Sequence, residues 1–252
     1  MAIINSTTQF LNGPNSRGNE FIELIQVGLQ MFRGFRKLHF IGPCITVFGS
    51  ARFDKDHQYY KKGMELGNRI AQLGFTTMTG GGPGIMEAAN RGAKESGGKS
   101  VGCTIQLPKE QTTNQYMDFF VHFDYFFVRK LLMLKYSYAF IVLPGGFGTL
   151  DELFETLTLI QTNVIKNFPV VVIGNNYYTT IMDMINKMNT EETISEVDMK
   201  LLLFTDSIDE AMSHIEKFVA QNYTIEKKNK RPFWWLGESP IKIKWNNTFI
   251  KK

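Results

Sequence analysis

The chain reads as an α/β protein, a Rossmann-like doubly wound parallel sheet in a single domain, with an N-terminal helix before it and a C-terminal extension after it. Three observations point there. Short apolar runs rich in Val, Ile and Phe alternate with segments of helical spacing, as in parallel sheets covered on both faces. Glycine turns close several of those runs and open the next helix, the short connection that such units use. No internal repeat or low-complexity linker interrupts the alternation. A chain of 252 residues is long for one domain but ordinary for one α/β sheet with extensions, so one core is expected.

Residues 1–18, rich in Asn, Ser, Thr and Gly, read as a mobile tail; no basic cluster precedes an apolar segment there, so no secretory leader is expected. Phe21, Leu24, Ile25, Phe32 and Phe35 recur at near-helical spacing and predict a helix over 21–35 outside the sheet. The first buried strand is 44–48, ending in Gly49-Ser50-Ala51-Arg52. A helix over 59–73 follows and Gly74 stops it. Then come strand 75–79, helix 85–95, strand 100–106 and a strand-like run over 119–126. Helix 129–136, strand 139–143, helix 150–162, strand 170–173, helix 178–188 and a last helix over 208–220 complete the body.

Two glycine turns carry the functional signal. Gly145, Gly146 and Gly148 end one strand and open a helix, bringing bare backbone N–H groups to a positive helix terminus that favours an anion. Gly80-Gly81-Gly82-Pro83-Gly84 repeats the arrangement. On a parallel sheet the Gly49, Gly80 and Gly145 turns share the rim at the carboxyl ends of the strands, where ligands bind. A nucleotide or sugar phosphate is the expected ligand, which divides the chain into a tail and helix (1–40), a nucleotide-binding body (41–222) and an extension (223–252).

Composition narrows the classes. With 43% hydrophobic and 21% charged residues the chain is globular, and its longest apolar runs fall short of the roughly 18 residues a membrane helix needs. Cys44 and Cys103 both lie in apolar runs, so a reduced, cytoplasmic protein without a disulfide frame is expected. The net charge of +4 is unevenly placed: from Tyr223 onward eight basic residues face only Glu226 and Glu238, so the extension carries +6 and the remainder −2. With Trp234, Trp235 and Trp245 that extension could touch nucleic acid. The simpler reading, preferred here, packs the aromatics on the body or a sister subunit and leaves the lysines solvated.

Several fingerprints fail. Gly-x-Gly-x-x-Gly is absent at both loops, with Ile85 and Asp151 at the third position, which argues against hydride transfer. Gly98-Lys99-Ser100 mimics a Walker loop, but Ala93 stands at the required upstream glycine and the triplet runs from helix into strand. His39, His57, His122 and His214 show no metal-ligand spacing, and no Gly-x-Ser-x-Gly elbow occurs.

Thr149-Leu150-Asp151-Glu152 matches a capping box, which by itself accounts for Glu152. The functional reading places Glu152 near the positive helix end, with a lowered pKa and a charge at neutral pH, suited to stabilising a cation or activating water and unsuited to donating a proton. Arg129 and Lys130 fall near a helix start, where the macrodipole opposes cations. An anion should be nearby: a substrate phosphate, Glu152, or merely a surface acid.

The Gly80 to Glu87 string, the Arg129-Lys130 pair and Pro144-Gly145-Gly146-Phe147-Gly148-Thr149-x-x-Glu152 together resemble the Lonely Guy family of cytokinin-activating phosphoribohydrolases, in its longer bacterial branch. That family long carried a lysine decarboxylase label, yet the sequence suggests neither a Schiff-base lysine nor a pyridoxal-binding body. The resemblance implies hydrolysis of the N-glycosidic bond of a nucleoside 5′-monophosphate, a cytokinin riboside monophosphate or AMP, without metal or cofactor. It implies that Arg129 and Glu152 form the catalytic pair. It implies that Gly145, Gly146, Gly148 and Thr149 hold the 5′-phosphate, while Gly49, Ser50, Gly81, Gly82, Gly84, Met86 and Lys130 border the nucleotide. It also implies a homo-oligomer, dimer or hexamer, and no membrane partner. A non-catalytic nucleotide or cofactor carrier on the same fold is the alternative.

Overall fold

A computed structural model of the chain describes residues 16–105, 113–166, 168–200, 202–225 and 232–236. Seven parallel strands form one sheet in the order β4-β3-β2-β1-β5-β6-β7. They are β1 (Cys44–Phe48), β2 (Thr76–Thr79), β3 (Ser100–Ile105), β4 (Phe119–Phe123), β5 (Ser137–Val142), β6 (Val170–Ile173) and β7 (Leu202–Thr205). Every residue of β1, β2 and β6 is buried, because helices cover both faces.

The helices are α1 (Arg17–Leu38), α2 (Gln58–Gln72), α3 (Ile85–Glu95), α4 (Phe126–Tyr136), α5 (Phe147–Gln161), α6 (Asn175–Thr190), α7 (Glu196–Met199) and α8 (Ile208–Asn222). Alternation along each strand splits the core in two. Ile45, Val47, Ala139 and Ile141 point to one face and pack with Leu66 and Ile70 of α2, Ile85 and Ala89 of α3, and Ile215 of α8. Cys44, Phe48, Phe140 and Val142 point to the other, with Leu38 of α1, Val128 and Leu132 of α4, Leu153 of α5 and Tyr178 of α6. Two helix layers around one parallel sheet make the fold Rossmann-like and doubly wound, as the alternation predicts.

The chain builds outward from β1 to β4, then returns through α4 to lay β5 on the free edge of β1. That reversal opens a crevice between the carboxyl ends of β1 and β5, the usual ligand position in such sheets. Two elements go beyond the sequence reading. The edge strand β7 and the single turn of α7 are present, though neither stands out as an apolar or periodic run. Helices α4 and α5 both begin three residues earlier than expected, at Phe126 and Phe147.

Most of the basic extension, including Trp245, lies outside the described residues, which there contain only a 3₁₀ turn over Trp234–Leu236. Among the described residues no helix is long and apolar enough to cross a membrane.

Candidate functional site

Three turns meet at the crevice. The N–H of Ser50, after β1, donates to Pro144 O after β5 at 2.9 Å, and Ser50 O accepts from Ile85 N at the start of α3, also at 2.9 Å. The approach is close enough to require glycine: a methyl on Gly84, whose φ is +67°, would run into Ser50 O, and one on Gly145 into the Thr149 hydroxyl. The Gly49, Gly80–Gly84 and Gly145–Gly148 turns therefore share one rim.

Helix α5 starts differently from the capping-box reading. Gly146 is its N-cap and its carbonyl accepts from Thr149 N at 3.0 Å and Leu150 N at 3.1 Å, so Thr149 lies within the first turn. No side chain caps this terminus. The N–H groups of Phe147 and Gly148 are thus first-turn amides without an intrahelical acceptor. Gly146 and Gly148 are exposed, and a Cβ on either would meet nothing within 4 Å. Open space lies over a positive helix end. Tyr177 steadies the turn, its OH donating to Gly145 O at 2.8 Å.

Released from capping, Glu152 sits one turn further in and is only 7% exposed. Here the expected lowered pKa is overturned: burial pushes the carboxyl up to about 7, against the pull of Arg129 and Lys130. Helix-end stabilisation fades within a turn, whereas desolvation acts in full on a buried carboxylate.

The two cations of α4 diverge. Arg129 Nε donates to Cys103 O of β3 at 2.9 Å, and the guanidinium lies against the second glycine loop, since a Cβ on Gly80 would fall 2.6 Å from Nη2. The Cys103 thiol, pushed up to about 12 by burial, feels the charges of both Arg129 and Glu152. Lys130 instead bridges to α5, with Nζ 2.8 Å from Asp151 Oδ2 and 2.7 Å from Glu155 Oε2. The acids that the helix-start argument asks for are therefore surface residues of α5 in the case of Lys130. Arg129 remains the cation facing the rim.

Gly81 and Gly82 are pinned from below. Gly81 N donates to Thr79 Oγ1 at 3.0 Å; Gly81 O accepts from Asn114 N at 3.0 Å and Gly82 O from Asn114 Nδ2 at 3.1 Å. Asn90, fully buried on α3, closes the network by accepting from Thr79 Oγ1 at 2.6 Å and Asn114 Nδ2 at 3.0 Å while donating to Ser100 Oγ at 2.7 Å. Met86 packs over the same loop, its Sδ 2.7 Å from where a Gly80 Cβ would stand. Sequence reasoning missed Asn90, Asn114 and Tyr177. Only Asn90 left a trace, as a polar residue on an otherwise small and apolar helix face.

A separate hollow of about 530 Å³, lined by Gln161, Asn189, Glu192 and Asp198 among others, lies at the carboxyl ends of α5 and α6. It contains none of the rim residues.

Comparison with known proteins shows what the chain is similar to. A family described as possible lysine decarboxylase matches residues 86–215. Cytokinin riboside 5′-monophosphate phosphoribohydrolase LOG1 of Arabidopsis thaliana is 28% identical over 200 residues, 78% of this chain and 93% of that protein. The LOG enzyme of Oryza sativa subsp. japonica is 27% identical over 192 residues, 75% of this chain and 78% of its own length. Among solved structures, the molybdenum cofactor carrier protein of Chlamydomonas reinhardtii superposes with a TM-score of 0.55 at 24% identity, over 71% of this chain and 99% of that one. That likeness concerns the fold.

Proposed function

This chain belongs to the possible lysine decarboxylase, or LOG, family, and on that premise we propose that it hydrolyses the N-glycosidic bond of a nucleoside 5′-monophosphate, AMP or a cytokinin riboside monophosphate. The observation that carries the reading is the convergence of Arg129 and Glu152 beside two glycine turns at the switch point of the sheet.

The first amides of α5 receive the 5′-phosphate, with Thr149 packed beneath them. Arg129, fixed through Nε to Cys103 O, turns its remaining N–H groups towards the nucleotide in a fork suited to phosphate or carboxylate oxygens. Cleavage passes through a cationic, oxocarbenium-like ribose. Ionised Glu152, in a site partly withdrawn from water, stabilises that charge and orients the attacking water. Its pKa of about 7 leaves both forms present near neutrality, so the carboxyl can also take up the proton the water releases.

The test is incubation of the purified chain with AMP and with isopentenyl-AMP, with free base measured by chromatography. Release of adenine or isopentenyladenine by the parent, and its loss in Glu152→Gln, is expected. Thermal stabilisation by AMP without any free base would identify a binding protein instead.

A further inference from the structure

Helices α4 and α5 carry the two charged groups of the proposed reaction, and one side chain ties the helices together. Neighbouring residues of a helix diverge by about 100°, so Arg129 and Lys130 leave α4 in different directions. Arg129 turns to Cys103 O and the second glycine loop. Lys130 turns to α5, its side chain only 14% exposed and its Nζ 2.8 Å from Asp151 Oδ2 and 2.7 Å from Glu155 Oε2. Among the described residues these are the ion pairs that join α4 to α5.

Asp151 and Glu155 stand four residues apart on α5, a spacing at which like charges repel each other across one helix face. Glu152 lies between them in the chain and is buried. The groups that bear on its charge are Arg129 and Lys130 of α4, Asp151 and Glu155 of its own helix, and the Cys103 thiol of β3.

We propose that Lys130 is a positioning residue that takes no part in holding the nucleotide: its ammonium fastens α4 to α5, fixes the approach of Arg129 to Glu152, and offsets the two acids flanking Glu152. The proposal rests on the hydrolysis reading for its kinetic consequence alone.

Contact and charge both support it. A phosphate reaching Lys130 would have to displace two carboxylates that already touch the ammonium. Burial holds the Glu152 carboxyl up to about 7; Arg129 and Lys130 draw it down, while Glu155 and Asp151 push it up. Losing the lysine therefore favours the neutral acid, and losing the two acids favours the anion.

The carboxyl carbon of Glu152, isotope-labelled through glutamate and assigned by its absence in Glu152→Gln, reports that balance by NMR whether or not the chain turns over. Its titration midpoint is expected to rise by roughly one pH unit in Lys130→Gln, to fall when Asp151→Asn and Glu155→Gln are combined, and to return to the parent's position in Lys130→Arg. With AMP, at a pH above every midpoint, Lys130→Gln and the paired acid variant should each lose about tenfold or more in kcat, with KM within about twofold of the parent. Asp151 and Glu155 are exposed, so the paired variant keeps its fold, which circular dichroism checks. A raised KM with kcat retained in Lys130→Gln would return the lysine to the nucleotide and overturn the proposal. A Glu152 midpoint unmoved by Lys130→Gln would overturn it as well. A parent that releases no free base removes the hydrolysis reading and leaves the decision to the titration, where opposite movements in the two variants sustain the role of Lys130 and a common midpoint ends it.

Discussion

Glu152 is held where its charge is unfavourable. In the unfolded chain its carboxyl titrates near 4.5, in the folded chain near 7. Below pH 4.5 both states are protonated and nothing is lost. Between 4.5 and 7 the unfolded state ionises first, so stability falls as pH rises; above 7 the loss is complete, on the order of 3 kcal/mol. Glu152→Gln removes that penalty. The variant is therefore expected to melt several degrees above the parent at pH 8 and with it at pH 4, which calorimetry at the two pH values checks. If the ionised carboxylate does the chemistry, kcat/KM for AMP should climb through a pKa near 7 and level off above it. A flat or falling profile between pH 5 and 8 would reject that role. This shift was not legible in the sequence: the Thr149-x-x-Glu152 spacing suggests a solvated cap, and burial is a tertiary property.

Among the elements, α2 and α3 pack with almost no gap. A methyl on Gly67 would strike Ala89 O, and one on Gly92 would strike Met64 O. Gly92→Ala must push the helices apart and is expected to cost about 2 kcal/mol, read as a lower urea midpoint. Asn90→Leu leaves the Thr79 hydroxyl and the Asn114 amide short of an acceptor and the Ser100 hydroxyl without its donor. A loss of about 2–4 kcal/mol is expected for that buried network, with the urea slope unchanged. Elements were legible where burial is uniform. Strands β1 and β6 are unbroken apolar or β-branched runs, while β7 is a four-residue edge strand whose first three residues are only half-buried. Helix α4 starts early because Phe126 reads as the end of a strand. Helix α5 starts early because Gly148 reads as part of the turn.

At the scale of the molecule, the doubly wound topology was legible because strand and helix alternate along the whole body. So was the meeting of the glycine turns, since parallel strands send every such turn to one rim. Asn114 and Tyr177 were not, because each acts on backbone carbonyls that only the folded chain brings within reach. The basic extension, with its stacking or packing tryptophans, falls mostly outside the described residues.

The hydrogen bond from Ser50 N to Pro144 O joins two stretches that are distant in sequence, and the crevice exists only where they dock. Neither stretch can fashion half of the candidate site ahead of the other. The proposed hydrolysis should therefore vanish in urea together with the far-ultraviolet signal, in a single superimposable transition. Activity lost well before the ellipticity would reveal a rim that melts on its own.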